Sequence, residues 1–413
     1  MTYLFTGNTT VTNDVDVSFD GATVDAFGRL RISSPYTLFD SYFSIDEKPR
    51  VWDTDINGTG NAVFEANIAS VTMDVGTTSG DKVVRQTKNY FQYQPGKSLL
   101  TLTTFVLDDA KANLRQRVGY FDTKNGIFLE RDGTDVYIVK RTSTSGSAQD
   151  IRILQSDWNG DVLDGTGESG QTLDNTKSQI FFTDVEWLGV GSVRAGFVIN
   201  GSFIIAHTFN HANLESNVYM TTAVLPVRYE MENTGTTAGD SKLKQICSTV
   251  ISEAGYAPEA IVRSVATDLD GLPMSDTDFR PVISIRLKSD YTDQVVTPTA
   301  LDLYGLQSTP FVYKIVANAN VLNGNWSTTG ADSVVEYNTN AAARLGVGGY
   351  DLKQGMFVGG TSSQPTVIRL RDFSKSLVLK ANINGAPETL TIAVRATTNN
   401  DDALASLSWE EHN

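Results

Sequence analysis

The stretch TDVEWLGVGSVRAGFVINGSFIIAHTFNHAN, Thr183 to Asn213, decides the fold class. Val193, Ala195, Phe197 and Ile199 alternate with Arg194 and Gly196, the period of a half-buried strand. Asn200-Gly201 then supplies two residues that tolerate positive φ, the chemistry of a tight hairpin turn. Phe203 to Phe209 returns as a second, more apolar strand. The pair reads as the central hairpin of a sandwich, with His207 and His211 as structural side chains.

Working outward, the composition agrees. Val, Ile, Thr and aromatic residues are plentiful, and Gly, Asn, Asp and Ser separate them, which favours strands joined by turns. A chain of 413 residues is long for one domain. The formal net charge of −15 speaks against nucleic acid and anionic membranes, which need clustered Lys and Arg. The single cysteine, Cys247, excludes an internal disulfide framework and fits assembly in a cytosol. Lying in the apolar run Ile246 to Ile251, it reads as a buried small hydrophobe. MTYLFTGNTTVTNDVD has no positive region before an apolar core, so no signal peptide is expected.

Three divisions follow along the chain. Residues 1–43 read as an extended docking arm: Met1 to Thr23 are polar and carry no Lys or Arg, while Val24 to Phe43 is rich in apolar groups. That second part is either a first strand completing a sheet or a segment that buries Phe27, Tyr36 and Phe39 against another chain, with Arg29 and Arg31 facing acidic groups there. Residues 44–255 read as a β-sandwich built from short antiparallel strands. Residues 256–413 read as a second, smaller β domain. Within the first sandwich, Thr142 to Ser178 is a long polar loop, the leading place for a surface contact, with Trp158 as its anchor.

Motifs of chemistry are sparse. Asp157, Asn159 and Asp161 alternate as oxygen ligands in DWNGD, with Asp164 nearby. The EF-hand spacing is not met, and an Asx-rich turn network is the alternative to bound calcium. YQPGKS lacks the first glycine of a phosphate loop, and a strand follows it where a helix is needed. His207 and His211 lack the glutamate of HExxH. No GxSxG elbow is present, and nothing singles out a carboxylate pair. The reading is therefore of a non-enzymatic protein with no cofactor and no assigned metal.

Several pieces together resemble a family of virion structural proteins from tailed phages of marine bacteria, with relatives in some large DNA viruses. They are VDAFGRLRISSPYTLFDSYF (24–43), YQPGKS (93–98), GYFDTKNGIFLE (119–130), SDWNGDVLDGTG (156–167), WLGVGSVRAGFVINGSFIIAHTFNHAN (187–213), LPVRYEMEN (225–233) and SLSWEEHN (406–413). The resemblance implies a virion component assembled in the host cytoplasm, and it carries no catalytic residue. With the residue-level reading it sets these expectations: an all-β chain with an N-terminal arm, a jelly-roll or lectin-like sandwich and a second β domain. Its partners would be other virion proteins and further copies of itself, a trimer being favoured. The alternative is a tail or fibre-associated protein reading a host surface glycan through Trp158 and its loop.

Overall fold

Alternation is clearest in the strand Leu99–Val106, where Leu99, Thr101, Thr103 and Phe105 are buried and every intervening side chain is partly exposed. The computed structural model describes residues 34–322, 324–341, 345–346, 348–360, 364–370 and 378–412. Its first sandwich runs β1 (Tyr36–Tyr42), β2 (Trp52–Asn57), β3 (Asn61–Glu65), β4 (Ser70–Val75), β5 (Lys82–Thr87), β6 (Leu99–Val106), β7 (Leu114–Phe121) and β8 (Gly126–Asp132). It continues through β9 (Asp135–Thr142), β10 (Gln149–Leu154), β11 (Gln179–Val185), β12 (Val193–Ile199), β13 (Ser202–Phe209), β14 (Val227–Asn233) and β15 (Ser241–Ser252).

One sheet has the order β13-β12-β11-β6-β15-β4-β3, with β1 also paired to β15; the other has the order β10-β9-β8-β7-β14-β5-β2. From β4 to β7 each successive strand changes sheet, the winding of a jelly roll. The inward faces meet in one apolar core. Phe105, Phe181, Phe197 and Leu243 come from the first sheet, and Val118, Tyr120, Ile127 and Tyr229 from the second. Arg85 joins that interior and bonds to Gln245 Oε1 at 2.7 Å, Thr54 Oγ1 at 2.8 Å and the Glu47 carbonyl at 2.6 Å. Burial pulls its pKa down to about 10.

A second sandwich follows with a separate core around Ile285, Leu303, Phe311, Ile392 and Trp409. Its strands are β16 (Ile261–Ala266), β17 (Leu272–Met274), β18 (Arg280–Leu287), β19 (Val295–Gly305), β20 (Pro310–Ala317), β21 (Ser327–Thr328) and β22 (Val335–Asn338). Then come β23 (Tyr350–Val358), β24 (Thr366–Arg369), β25 (Leu390–Ala396) and β26 (Asp401–His412). They form sheets β16-β26-β19-β24, with β17 on β26, and β21-β22-β18-β25-β20-β23. The sandwiches are tied by Lys88, whose ammonium lies 2.7 Å from Glu388 and 3.2 Å from Asp53. The Ile383 N–H donates to Asp53 at 3.0 Å. The chain is an all-β protein of packed antiparallel sheets.

The hairpin of the opening stretch forms as its pattern demands. Asn200 and Gly201 have φ of 53° and 80°, and Ile199 pairs with Ser202. Its position differs from the sequence reading, because β13 is the edge of its sheet and not the centre. Val218 to Ala223, for all its apolar residues, forms a bend and no strand. Tyr219 there buries its ring on His211, with centroids 3.9 Å apart, and its hydroxyl donates to the Glu186 carbonyl.

Within the segment 24–43, Tyr36 to Tyr42 belong to this chain's own sheet, since β1 pairs with β15 there. Phe39 packs edge-on against Trp52, centroids 5.9 Å apart, inside the first core. It is therefore not available to dock on another chain, because its apolar surface is already covered at home. Tyr36 is 47% exposed. Phe27, Arg29 and Arg31 lie outside the described residues.

Candidate functional site

The long loop before Ser178 is fastened through its middle to β13. Gly160 and Asp161 donate their N–H groups to the carbonyls of Ala206 and Ile205 on β13, both at 2.9 Å. Asn159 clamps the same strand from its side chain, accepting from the Thr208 N–H at 2.8 Å and donating to the Thr208 carbonyl at 2.9 Å. The loop thus pairs the open edge of β13, a position that otherwise invites another chain to add a strand.

Trp158 corrects the glycan-platform reading. It is 4% exposed, sits in the first core near Phe197 with centroids 6.3 Å apart, and donates its indole N–H to the Ile153 carbonyl. Asp161 is buried, with its oxygens taken by the N–H groups of Leu163 and Ser169. Asp164 makes a turn with Thr166. Asp157 is exposed at the end of a single 3₁₀ turn. Among the described residues no three His, Cys, Asp or Glu side chains converge as a metal ion requires.

Gly160 carries a specific demand here. A Cβ at this position would lie 2.3 Å from the Ile205 carbonyl oxygen, which is backbone and cannot swing away. Gly160→Ala is expected to lift the loop from β13 and lower stability by about 1–3 kcal/mol, as overpacking does. Urea denaturation of the purified variant measures it, and an unchanged midpoint with unchanged slope would show that the loop tolerates the methyl.

The histidines hold local structure. His207 Nδ1 accepts the Asn159 N–H at 3.3 Å, and His211 Nδ1 bonds to the Gly191 carbonyl at 2.6 Å. Burial pushes both pKa values down, favouring neutral rings. Lys97 of the YQPGKS turn is engaged with Gln94 at 2.7 Å and the Gly255 carbonyl at 3.2 Å. Cys247 corrects another expectation: it is exposed, because its side chain falls on the outer face of β15 beside Tyr42 and Thr104.

The outer face of the second sheet carries an ionic layer that sequence reasoning missed. Register places Glu230 beside Arg117, and Arg117 beside Glu130. Arg117 binds Glu130 at 2.6 Å and Glu230 at 2.9 Å; Arg228 holds the other oxygen of Glu230 at 2.6 Å. The guanidinium of Arg117 also lies over the buried Phe128 ring, and that of Arg228 over Phe121. Alternate charges in LPVRYEMEN were a visible signal of one face, but the partners come from other strands. Both carboxylates are spent on guanidinium groups, so the layer braces the sheet.

Two adjoining hollows lie where the sandwiches meet. One, of about 460 Å³, is lined by Tyr36, Tyr90, Gln92 and Tyr256 from the first sandwich and by Thr297, Glu410 and His412 from the second. The other, of about 370 Å³, is lined by Asp40, Arg50, Tyr350 and Lys380. Leu38 and Asn89 line both, so the two hollows adjoin along the groove between the sandwiches. The run Asn89-Tyr90-Phe91-Gln92-Tyr93, mixing amides and aromatics, was the available signal for it. Nothing local could pair that run with Glu410 on the last strand.

No family model matches the chain, and no curated protein does. Among solved structures it is similar to a β-1,3-glucanase from Mycobacterium marinum, at 11% identity over 52% of this chain and 98% of that one, TM-score 0.37. It is also similar to a legume lectin-like domain from Entamoeba histolytica, at 10% identity over 52% and 97%, TM-score 0.31. The carbohydrate recognition domain of Emp47p is a third, at 8% identity over 57% and 100%, TM-score 0.34. No functional residue passes to this chain from likenesses of that size.

Proposed function

We propose that the chain is a non-enzymatic structural subunit of a phage particle, joined to its neighbours through buried surface. The observation that carries this reading is the outer face of the first sheet. Cross-strand register sets Phe203, Val198, Ile180, Thr104, Cys247 and Tyr42 in one row. The adjoining row runs Ile205, Phe182 and Leu102 before it turns polar at Thr249 and Asp40. Tyr42 is 59% exposed and Phe203 49%. Exposed aromatic groups on a sheet face of this kind are costly in water and are stabilised when another subunit covers them. The resemblance to virion proteins supports the same reading, and a closed ring such as a trimer would multiply each contact.

A compact chain of two sandwiches suits a capsid-decorating or minor head position. The interdomain groove favours a second reading, a tail or fibre-associated receptor-binding protein. Quantitative mass spectrometry of purified particles separates them: hundreds of copies mean decoration, and about a dozen or fewer mean neck, vertex or tail. Replacing Tyr42 and Phe203 together by Asp is expected to exclude the protein from particles while its circular dichroism spectrum stays that of the parent. Normal incorporation of that variant, or absence of the parent chain from particles, would sink the proposal.

A further inference from the structure

We infer that the groove between the sandwiches is a binding site for a neutral oligosaccharide, seated on Tyr36 and read by Asn89 and Gln92. The inference deepens the receptor-binding reading, and it is tested on purified protein whatever the chain's station on a particle.

Three features of the groove carry it. The first is its aromatic wall. The Tyr36 and Tyr256 rings stack with centroids 5.6 Å apart and planes 12° from parallel, while Tyr36 stays 47% exposed. A ring held rigidly by a stacked neighbour offers flat apolar area at low entropic cost, which suits the C–H face of a pyranose.

The second is the placement of carboxamides beside that wall. Among the described residues no side-chain hydrogen bond engages the Asn89 amide. Gln92 Oε1 accepts from the Tyr256 hydroxyl at 3.4 Å, which leaves its NH₂ group as a donor toward the groove. An amide offers a donor and an acceptor in one plane, the pattern that adjacent sugar hydroxyls complement. Half-buried amides of this kind gain most when a ligand that both donates and accepts replaces water.

The third is charge. The Tyr36 hollow holds a single carboxylate, Glu410, and no Lys or Arg, while the adjoining hollow holds Asp40 with Arg50 and Lys380, so neither offers the cluster of like charges that an ionic ligand needs. The whole chain carries −15, which repels polyanions. A neutral, hydroxyl-rich ligand fits both facts. The Tyr36 hollow alone, at about 460 Å³, has room for more than one sugar unit. Sites at domain junctions are also where preformed concave surface is most often found.

The test uses the full chain and four neutral probes: maltohexaose, cellohexaose, laminarihexaose and chitohexaose. Saturation-transfer NMR at millimolar probe is expected to show transfer to at least one. Tyr36→Ala and Asn89→Ala are each expected to weaken that probe's affinity about tenfold or more, with unchanged thermal unfolding midpoints. Gln92→Ala serves as the second variant if Tyr36→Ala alters folding. No transfer from any probe overturns the inference, as does transfer that all three variants leave intact. A synthetic peptide of residues 24–33 binding the groove in place of the sugars would overturn it in favour of the chain's own arm. Loss of glycan binding says nothing against the particle proposal, which fails only on copy number or incorporation.

Discussion

Glu230→Gln is expected to destabilise the protein by about 3–5 kcal/mol, the cost of removing one partner from a buried ion pair. Glu230 is 2% exposed and lies between Arg228 at 2.6 Å and Arg117 at 2.9 Å. Lys82 approaches the same carboxylate at 3.4 Å. With the charge gone, two guanidinium groups remain in a desolvated layer beside Phe121 and Phe128, both fully buried. Equilibrium denaturation in urea measures the loss. Replacing Glu230, Glu130, Arg117 and Arg228 together by apolar residues of similar volume should cost far less, since no fully buried charge is then left uncompensated. A quadruple variant as unstable as the single one would show that burial geometry, and not charge, sets the cost.

The same carboxylate sets a pH dependence. Burial acts to raise its pKa, but Arg228, Arg117 and Lys82 more than offset that and hold it well below the usual glutamate value of 4.5. A folded-state pKa below the unfolded one means that the unfolded chain binds the proton more readily. The stabilisation is therefore complete above pH 4.5 and is lost as the pH falls below it toward the folded value. Glu230→Gln should show a flatter stability profile across that acid range, and a parallel profile would assign acid sensitivity to other groups.

Trp158→Ala is the second large effect, at about 3–5 kcal/mol for a buried aromatic truncated to a methyl. The indole fills the first core against Phe197 and fastens its loop through the Ile153 carbonyl at 3.1 Å. The consequence extends past the cavity. The loop pairs the β13 edge through Asn159, Gly160 and Asp161, so loosening it bares strand hydrogen-bonding groups next to Phe203 and Ile205. Self-association should rise together with the loss of stability. Urea denaturation and light scattering read the two effects. A stability loss below about 1 kcal/mol would return Trp158 to the role of a surface aromatic.

Much of this outcome was legible locally. The period-two pattern of Val193 to Ile199 and the Asn200-Gly201 turn specify a hairpin, because side-chain alternation and positive φ are properties of a few adjacent residues. The polar composition of Thr142 to Ser178 likewise marked a long loop. What the loop does was not legible. Its acidic residues and tryptophan looked like a ligand set, and only the approach of β13 shows that backbone pairing engages them.

The ionic layer has the same character. LPVRYEMEN announces alternating charges on β14, yet Arg117 meets Glu230 from 113 residues away, through strand neighbours that no local rule selects. The amino-acid sequence by itself determined that this chain is all-β, with hairpins where Asn-Gly steps fall and apolar faces seeking cover. Only the tertiary structure decided that the opening hairpin lies at an edge, that Trp158 and Phe39 are core residues, and that Tyr36 and Glu410 line one hollow. The division is physical. Strand period and turn geometry come from backbone stereochemistry over a few residues, whereas strand order and strand neighbours come from the burial of the whole chain at once.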